Sequence, residues 1–348
     1  MTEKKQRKGL IQVYTGNAGY HNHAPIGLAL RAAGQNLRTH LTCFLPHPLR
    51  KGEKVASSLL KPHLVVHHGA VSASSANPKE WTKQERREIL EAFQQAQDVL
   101  FGGEFDIVIL EGINPLLETG IIPMDLLMPL IRQRPSHVEM ILTGPGAHED
   151  LIHHAHLVTE MVCRKGGPSK REGQREAAPT EVVTGNGKGK TTYGLGKAML
   201  MSCLGTPAMI LQFIKSARPY GEVKALKRLP DLDIKTMGEG FLEEYATVQE
   251  AKHLDAARRA WEGCLREIFS LKYRSVVLDE INIATYYGLV HPERVRELMF
   301  LKPQKLHLIL SGRNAHPEVM EGASLVIEMK EIKHPYHQGV RARKGIEF

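Results

Sequence analysis

Long apolar runs are missing from this sequence. No stretch approaches the roughly 18–20 residues that a membrane-spanning helix needs, so none is expected. The opening MTEKKQRKGL is charged and lacks the apolar segment of a secretory signal. Cysteine is scarce: Cys43, Cys163, Cys203 and Cys264 form no CxxC pair and no metal-binding spacing. A disulfide framework is therefore not expected, and the thiols read as reduced in a cytoplasmic protein. Aromatic residues make up only 6% of the chain, and the basic residues are scattered rather than striped among them. That argues against nucleic acid as the substrate. The net charge of +8 instead favours a smaller anionic ligand such as a polyphosphate. With 42% hydrophobic and 24% charged residues, the composition is that of an ordinary soluble protein, and 348 residues suffice for two domains with a core each.

A repeat runs through the chain. Sliding one half against the other by 169 residues superposes Thr15-Gly16-Asn17 on Thr184-Gly185-Asn186, Phe44 on Phe213, and Gly52-Glu53 on Gly221-Glu222. A shift of 168 superposes IVILEGIN (107–114) on SVVLDEIN (275–282), and TGPGAHEDLIHHAHLVTEM (143–161) on SGRNAHPEVMEGASLVIEM (311–329). A register held over so many blocks indicates tandem duplication of one domain, with copies at 8–163 and 181–348. The 164–180 stretch between them is charged, rich in Gly and Pro, and reads as a linker.

Within a copy the pattern is strand, glycine loop, helix, strand. In the second copy, 181–184 and the apolar runs 207–214, 275–281 and 306–312 read as buried strands, with helices over 191–203 and 248–272. This alternation predicts an α/β fold of the P-loop NTPase-like (RecA-like) kind, a parallel sheet flanked by helices, present twice.

The glycine loop is TGNGKGKTT, 184–192. Its glycines let backbone N–H groups turn toward phosphate oxygens, and the following helix adds the positive end of its dipole. Gly185, Asn186, Gly187, Lys188, Gly189, Lys190, Thr191 and Thr192 are the candidate ATP contacts, with Lys190 as the main cation and Thr191 as a Mg²⁺ ligand. The strict P-loop pattern fails at one place, because Thr184 stands where its first Gly should be. The strand VVLDE (276–280) supplies the second element of a phosphate site by placing Asp279 and Glu280 at the carboxyl edge of the sheet, where they can hold Mg²⁺ or Mn²⁺.

The second copy resembles the corrinoid adenosyltransferases of the CobA/BtuR type along its whole length. The residues that carry the resemblance are TGNGKGKTT (184–192), QFIKS (212–216), GEGF (238–241), VVLDEI (276–281), SGRNAHPE (311–318) and the tail HPYHQGVRARKGIEF (334–348). The first copy resembles the same family in KGLIQVYTGN (8–17) and GLALRAAG (27–34). The resemblance implies transfer of the 5′-deoxyadenosyl group of ATP to the Co(I) of a corrinoid substrate, with triphosphate leaving. An external reductant such as a flavoprotein would supply Co(I). It implies a basic residue near the nucleotide at Lys215, an aromatic at Phe241 against the lower face of the corrin, and phosphate contact from Arg313. Catalysis would rest on Lys190, Glu280 and Phe241. The sequence departs from the family at Glu243, where members carry a Trp, and at Leu200, where they often carry an Arg. The departure at Glu243 argues against efficient use of complete cobalamin and leaves room for an incomplete corrinoid such as cobyrinic acid a,c-diamide, without fixing which corrinoid is preferred. An ATPase or kinase acting at the γ-phosphate and a non-catalytic corrinoid or nucleotide carrier are the alternatives.

The first copy has lost the site while keeping the strands. His21 stands at Lys190, Asn22 at Thr191, Tyr20 at Gly189, Gly112 at Glu280, Pro46 at Lys215 and Pro145 at Arg313. It reads as a pseudo-enzyme domain packed on the second copy as an intramolecular pseudo-dimer, which leaves room for further homo-oligomerisation. Its histidine clusters (His21 and His23, His67 and His68, His153, His154 and His156) show no metal spacing and read as solvated or core residues.

Overall fold

The computed structural model describes all residues except 1–7, 20, 48–49, 70–74, 76, 167–177, 215–220 and 238–250. The N-terminal half runs β1 (Ile11–Gly16), α1 (His23–Ala33), β2 (Thr39–Cys43), α2 (Arg50–Leu60), β3 (Leu64–His68), α3 (Lys83–Phe101), β4 (Ile107–Glu111), α4 (Ile113–Glu118), α5 (Met124–Gln133), β5 (Glu139–Thr143), α6 (Glu149–His154) and β6 (Leu157–Lys165). The C-terminal half repeats it: β7 (Thr180–Thr184), α7 (Lys190–Cys203), β8 (Ala208–Gln212), α8 (Gly221–Leu226), β9 (Leu232–Thr236), α9 (Ala251–Phe269), β10 (Ser275–Asp279), α10 (Ile281–Tyr286), α11 (Pro292–Leu301), β11 (His307–Ser311), α12 (Pro317–Gly322) and β12 (Leu325–Lys333). The expected strands and helices are all present: β7 and α7 each begin one residue earlier than expected, and β8, α9, β10 and β11 are a few residues shorter.

The two halves share one sheet of 12 strands, in the order β3-β2-β4-β5-β1-β6-β12-β7-β11-β10-β8-β9. Within each half every pairing is parallel, and β2, β4, β5, β8, β10 and β11 are buried at every residue. Helices covering both faces explain why these strands are apolar throughout rather than alternating. Among the described residues the one antiparallel pairing is the seam between β6 and β12, where Met161 faces Met329. These are counterparts at the 168-residue shift, so the pair lies on a pseudo-two-fold axis, as in an isologous dimer interface.

On one face of the sheet α1 and α7 cross at the same axis. A Cβ on Gly27 would lie 1.8 Å from the Thr192 carbonyl oxygen, and one on its counterpart Gly196 would lie 2.1 Å from that of His23. Only glycine allows this approach. The packing leaves α7 buried almost all round, although an amphipathic helix would need only one buried stripe. The core on this face is continuous across the seam, running from Leu41 and Ile109 through Tyr14, Ile26 and Tyr193 to Ile210 and Val277. On the opposite face each half keeps its own core, under α3 to α6 and under α9 to α12. Among the described residues no helix is long and apolar enough to cross a membrane.

Candidate active site

The loop after β7 is shaped by its backbone before any side chain matters. Gly185 and Gly189 adopt φ of +92° and +116°. The Gly187 N–H donates to the Met329 carbonyl on β12 at 2.7 Å, which fixes the loop against the seam strand. Lys190 opens α7, is buried to 8% exposure, and donates from Nζ to the Gly187 carbonyl at 2.6 Å. Burial lowers its pKa to about 8, with the neighbouring Arg313 acting in the same direction and Glu280, Asp279 and Glu331 opposing.

Opposite the loop, β10 ends in Asp279. Its Oδ1 accepts from Thr191 Oγ1 at 2.9 Å and from Ser311 Oγ at 2.7 Å, and its Oδ2 accepts from Gln212 Nε2 at 3.1 Å. The next residue, Glu280, has φ +64° and ψ +19°, a left-handed conformation that a side chain disfavours. Its counterpart Gly112 holds the same turn at φ +78°. The turn belongs to the fold, and only the C-terminal half strains a side chain into it.

A cavity of about 540 Å³ opens here. Lys188, Gly189, Lys190, Thr191, Thr192, Glu280 and Arg313 line it, so the structure brings most of the expected residues together. Gly185, Asn186 and Gly187 complete the loop without lining the cavity. Lys215 and Phe241 lie outside the described residues.

The opposite wall comes from the N-terminal half: Gln12, Tyr14, Leu28 and Arg31. Arg31 donates from Nε to Glu222 at 3.0 Å and from Nη1 to the carbonyls of Ile346 and Glu347 at 3.2 and 3.0 Å. The sequence held the signal for it, since Arg31 is the counterpart of Leu200 at the 169-residue shift. The residue absent from α7 stands on α1, and the helix crossing delivers it to the other half's site. The C-terminal tail closes the same side. Arg343 makes a two-pronged ion pair with Glu139 on β5 at 2.7 and 3.0 Å, and Glu347 bonds Lys188 of the loop at 3.1 Å. Burial works against the Glu347 carboxylate, yet the Arg343 and Lys188 cations hold its pKa below the usual range.

The corresponding loop of the N-terminal half lacks these features. His21 turns its ring back onto the Gly16 carbonyl at 3.0 Å, and burial lowers its pKa to about 4, so it is neutral near pH 7. Glu111 stands where Asp279 does, and burial raises its pKa to about 7.

Comparison with known proteins agrees with the repeat. Residues 7–178 and 176–348 each match the family model described as ATP:corrinoid adenosyltransferase BtuR/CobO/CobP. The uncharacterised protein all2391 of Nostoc sp. (strain PCC 7120) is 30% identical over 365 residues, covering 98% of this chain and 95% of its own length. The corrinoid adenosyltransferase of Sinorhizobium sp. is 41% identical over 170 residues, which is 48% of this chain and 78% of that protein. The one of Escherichia coli (strain K12) is 30% identical over 177 residues, 51% of this chain and 89% of that protein. The chain therefore belongs to the ATP:corrinoid adenosyltransferase BtuR/CobO/CobP family and carries the family's domain twice.

Proposed function

We propose that this chain transfers the 5′-deoxyadenosyl group of ATP to the Co(I) centre of a corrinoid at a single working site in its C-terminal half. The observation that carries the reading is the cavity wall. It offers Lys188, Lys190 and loop amides for a triphosphate, in a chain whose two halves both match the corrinoid adenosyltransferase family. In the proposed reaction the corrinoid substrate brings the nucleophile. Its Co(I) electron pair forms the bond to C5′, the C5′–O bond breaks, and that pair leaves with the triphosphate.

The protein then has two tasks, positioning and charge stabilisation. Lys190 and Lys188 neutralise the leaving triphosphate, and Thr192 and Arg313 complete its surroundings. The oxygens of Thr191, Asp279 and Glu280 form an all-oxygen set that suits Mg²⁺ or Mn²⁺, which would neutralise further phosphate charge when bound. The N-terminal half is the fixed partner, supplying Arg31, Gln12 and Tyr14 to the opposite wall. Lys215 near the nucleotide and Phe241 against the corrin keep the roles that the resemblance implies. Reduction to Co(I) falls to an external donor such as a flavoprotein, and an incomplete corrinoid is the favoured acceptor.

The test is to incubate the full chain with ATP, Mg²⁺ and chemically reduced corrinoid. The expected products are an adenosylcorrinoid, seen in its spectrum, and triphosphate. ADP or orthophosphate in place of triphosphate would identify γ-phosphate chemistry, and binding without turnover would identify a carrier. ATP titration should give one site per chain; two equivalent sites would overturn the assignment of a degenerate half.

A further inference from the structure

The C-terminal end of β2 carries a buried cluster that the adenosyl-transfer reading leaves unused. The Glu53 Oε2 atom, on the first turn of α2, is met by His47 Nε2 at 3.0 Å, His68 Nε2 at 3.0 Å and Cys43 Sγ at 3.5 Å. Glu53 is fully buried, and its other oxygen, Oε1, has no hydrogen-bond partner. A buried carboxylate oxygen left in that state is costly.

The repeat shows that this cluster is not a remnant. In the C-terminal half the counterpart of Glu53 is Glu222, which is neutralised by Arg31 across the pseudo-two-fold axis. The residue that would answer Glu53 from the other side is Leu200, so Glu53 has no such arginine. Decay of an idle site would remove the carboxylate as well. Here the carboxylate stays, and its neighbours change to ligating types. Cys43 replaces Gln212, His47 replaces Ser216, and His68 pairs beside Cys43 where Thr236 pairs beside Gln212.

The geometry points to a metal site in the N-terminal half, in which Cys43, His47, Glu53 and His68 bind one divalent ion of the zinc type. The donor atoms of Cys43, His47 and Glu53 lie within 4.8 Å of one another, near the edge lengths of roughly 3.3–3.8 Å around a tetrahedral ion. One thiolate, two imidazoles and a carboxylate form a borderline-soft set that suits Zn²⁺ and not Mg²⁺ or Ca²⁺, which prefer oxygen alone. The thiol and imidazole hydrogens gather the donors around one oxygen, and a bound ion would take the place of those hydrogens. Four protein ligands with little exposure describe a closed structural site. It would tie β2, β3 and α2 together, the elements that correspond to β8, β9 and α8 of the other half. The ligands come from β2, the loop after it, α2 and β3, and their spacing in the sequence matches no metal motif.

The test uses Co²⁺ on the full-length chain after chelator treatment and desalting. One equivalent should give a thiolate-to-cobalt charge-transfer band with the d–d bands of a four-coordinate ion, and Zn²⁺ should bleach both. Cys43→Ser should lose the charge-transfer band. His68→Asn keeps the thiol and should weaken Co²⁺ binding by more than the about 10–100-fold that loss of a supporting partner costs. The oxygen donors of the nucleotide cavity give no thiolate band, so ion bound there is not mistaken for this site. No band at one equivalent in the wild-type chain, or a band that survives Cys43→Ser, would overturn the proposal. Should Cys43→Ser fail to fold, the wild-type titration and His68→Asn decide it.

Discussion

Glu280 is held at φ +64°, and the variants Glu280→Gly and Glu280→Ala separate what its backbone costs from what its carboxylate does. Both variants remove the same carboxylate and the same attraction to Lys190. They differ in one atom, the Cβ that alanine keeps in the left-handed region. That Cβ costs about 1–2 kcal/mol. Against it stands the extra chain entropy that glycine loses on folding, about 0.4–1 kcal/mol. The difference leaves Glu280→Gly more stable than Glu280→Ala by about 1 kcal/mol. At an ordinary helical or extended position the order would be reversed, so the sign alone is informative. Spread over 348 residues, 1 kcal/mol moves a cooperative melting midpoint by only about 1–2 °C, so the urea midpoint is the better readout. Both variants should lose Mg²⁺-dependent adenosyl transfer to a similar degree while keeping the fold, because Gly112 already makes the same turn in the other half. If alanine proves the more stable, the strain argument fails. If either variant keeps full activity, Glu280 has no part in the site.

Lys190→Ala should lower kcat/KM for ATP by about 10²-fold or more, since one preorganised contact to developing charge is worth about 3 kcal/mol; near-normal turnover would refute the placement of the triphosphate. Without nucleotide, Lys190 loses its proton near pH 8, whereas bound triphosphate favours the charged form, so ATP affinity should fall as pH rises through about 8, by at most about tenfold per unit, with proton uptake on binding above that pH. Calorimetry in buffers of different ionisation enthalpy checks this, and an affinity flat from about pH 7 to 9.5 would contradict it. Gly196→Ala places a methyl group 2.1 Å from the His23 carbonyl and should destabilise the chain by several kcal/mol, read by urea unfolding; a neutral result would mean α1 and α7 do not cross as described. Residues 176–348 expressed alone would expose the shared core and the β12 seam, so they should self-associate or aggregate, and a stable, fully active monomer by light scattering would refute the partner role of the first half.

Much of this was legible in the sequence because the duplication acts as an internal control. The register placed His21 on Lys190 and Gly112 on Glu280, and the apolar runs marked strands buried on both faces. The direction of the seam was not legible. β6 and β12 have the same buried start as their neighbours, and nothing in their pattern says that they pair antiparallel with each other. Arg31 is not legible from either copy alone, because the cavity is built across the pseudo-axis. The tail 334–348 could be recognised as a motif, but its reach to Glu139 on the other half depends on a fold that local pattern does not encode.

The division of residues between the halves follows from that geometry. In a symmetric pair each loop would face an arginine from the partner's helix, giving two sites. Here the C-terminal half keeps Lys190 and has Leu200; the N-terminal half keeps Arg31 and has His21. Lys190 and Arg31 line the same cavity, and the pseudo-two-fold axis relates that pair to His21 and Leu200. Each half has kept what serves one cavity and lost what would serve its mirror image. Random decay of the first half would have no reason to spare Arg31, which shares nothing with its own loop, or to take the arginine from the half that keeps its loop lysine. The pattern follows if the unit under constraint is the single cavity between the halves. A substitution across the pseudo-axis tests this: Arg31→Leu should impair ATP turnover although it lies in the half without the loop lysine. Arg31→Leu at full activity would show that the arginine serves only to neutralise Glu222.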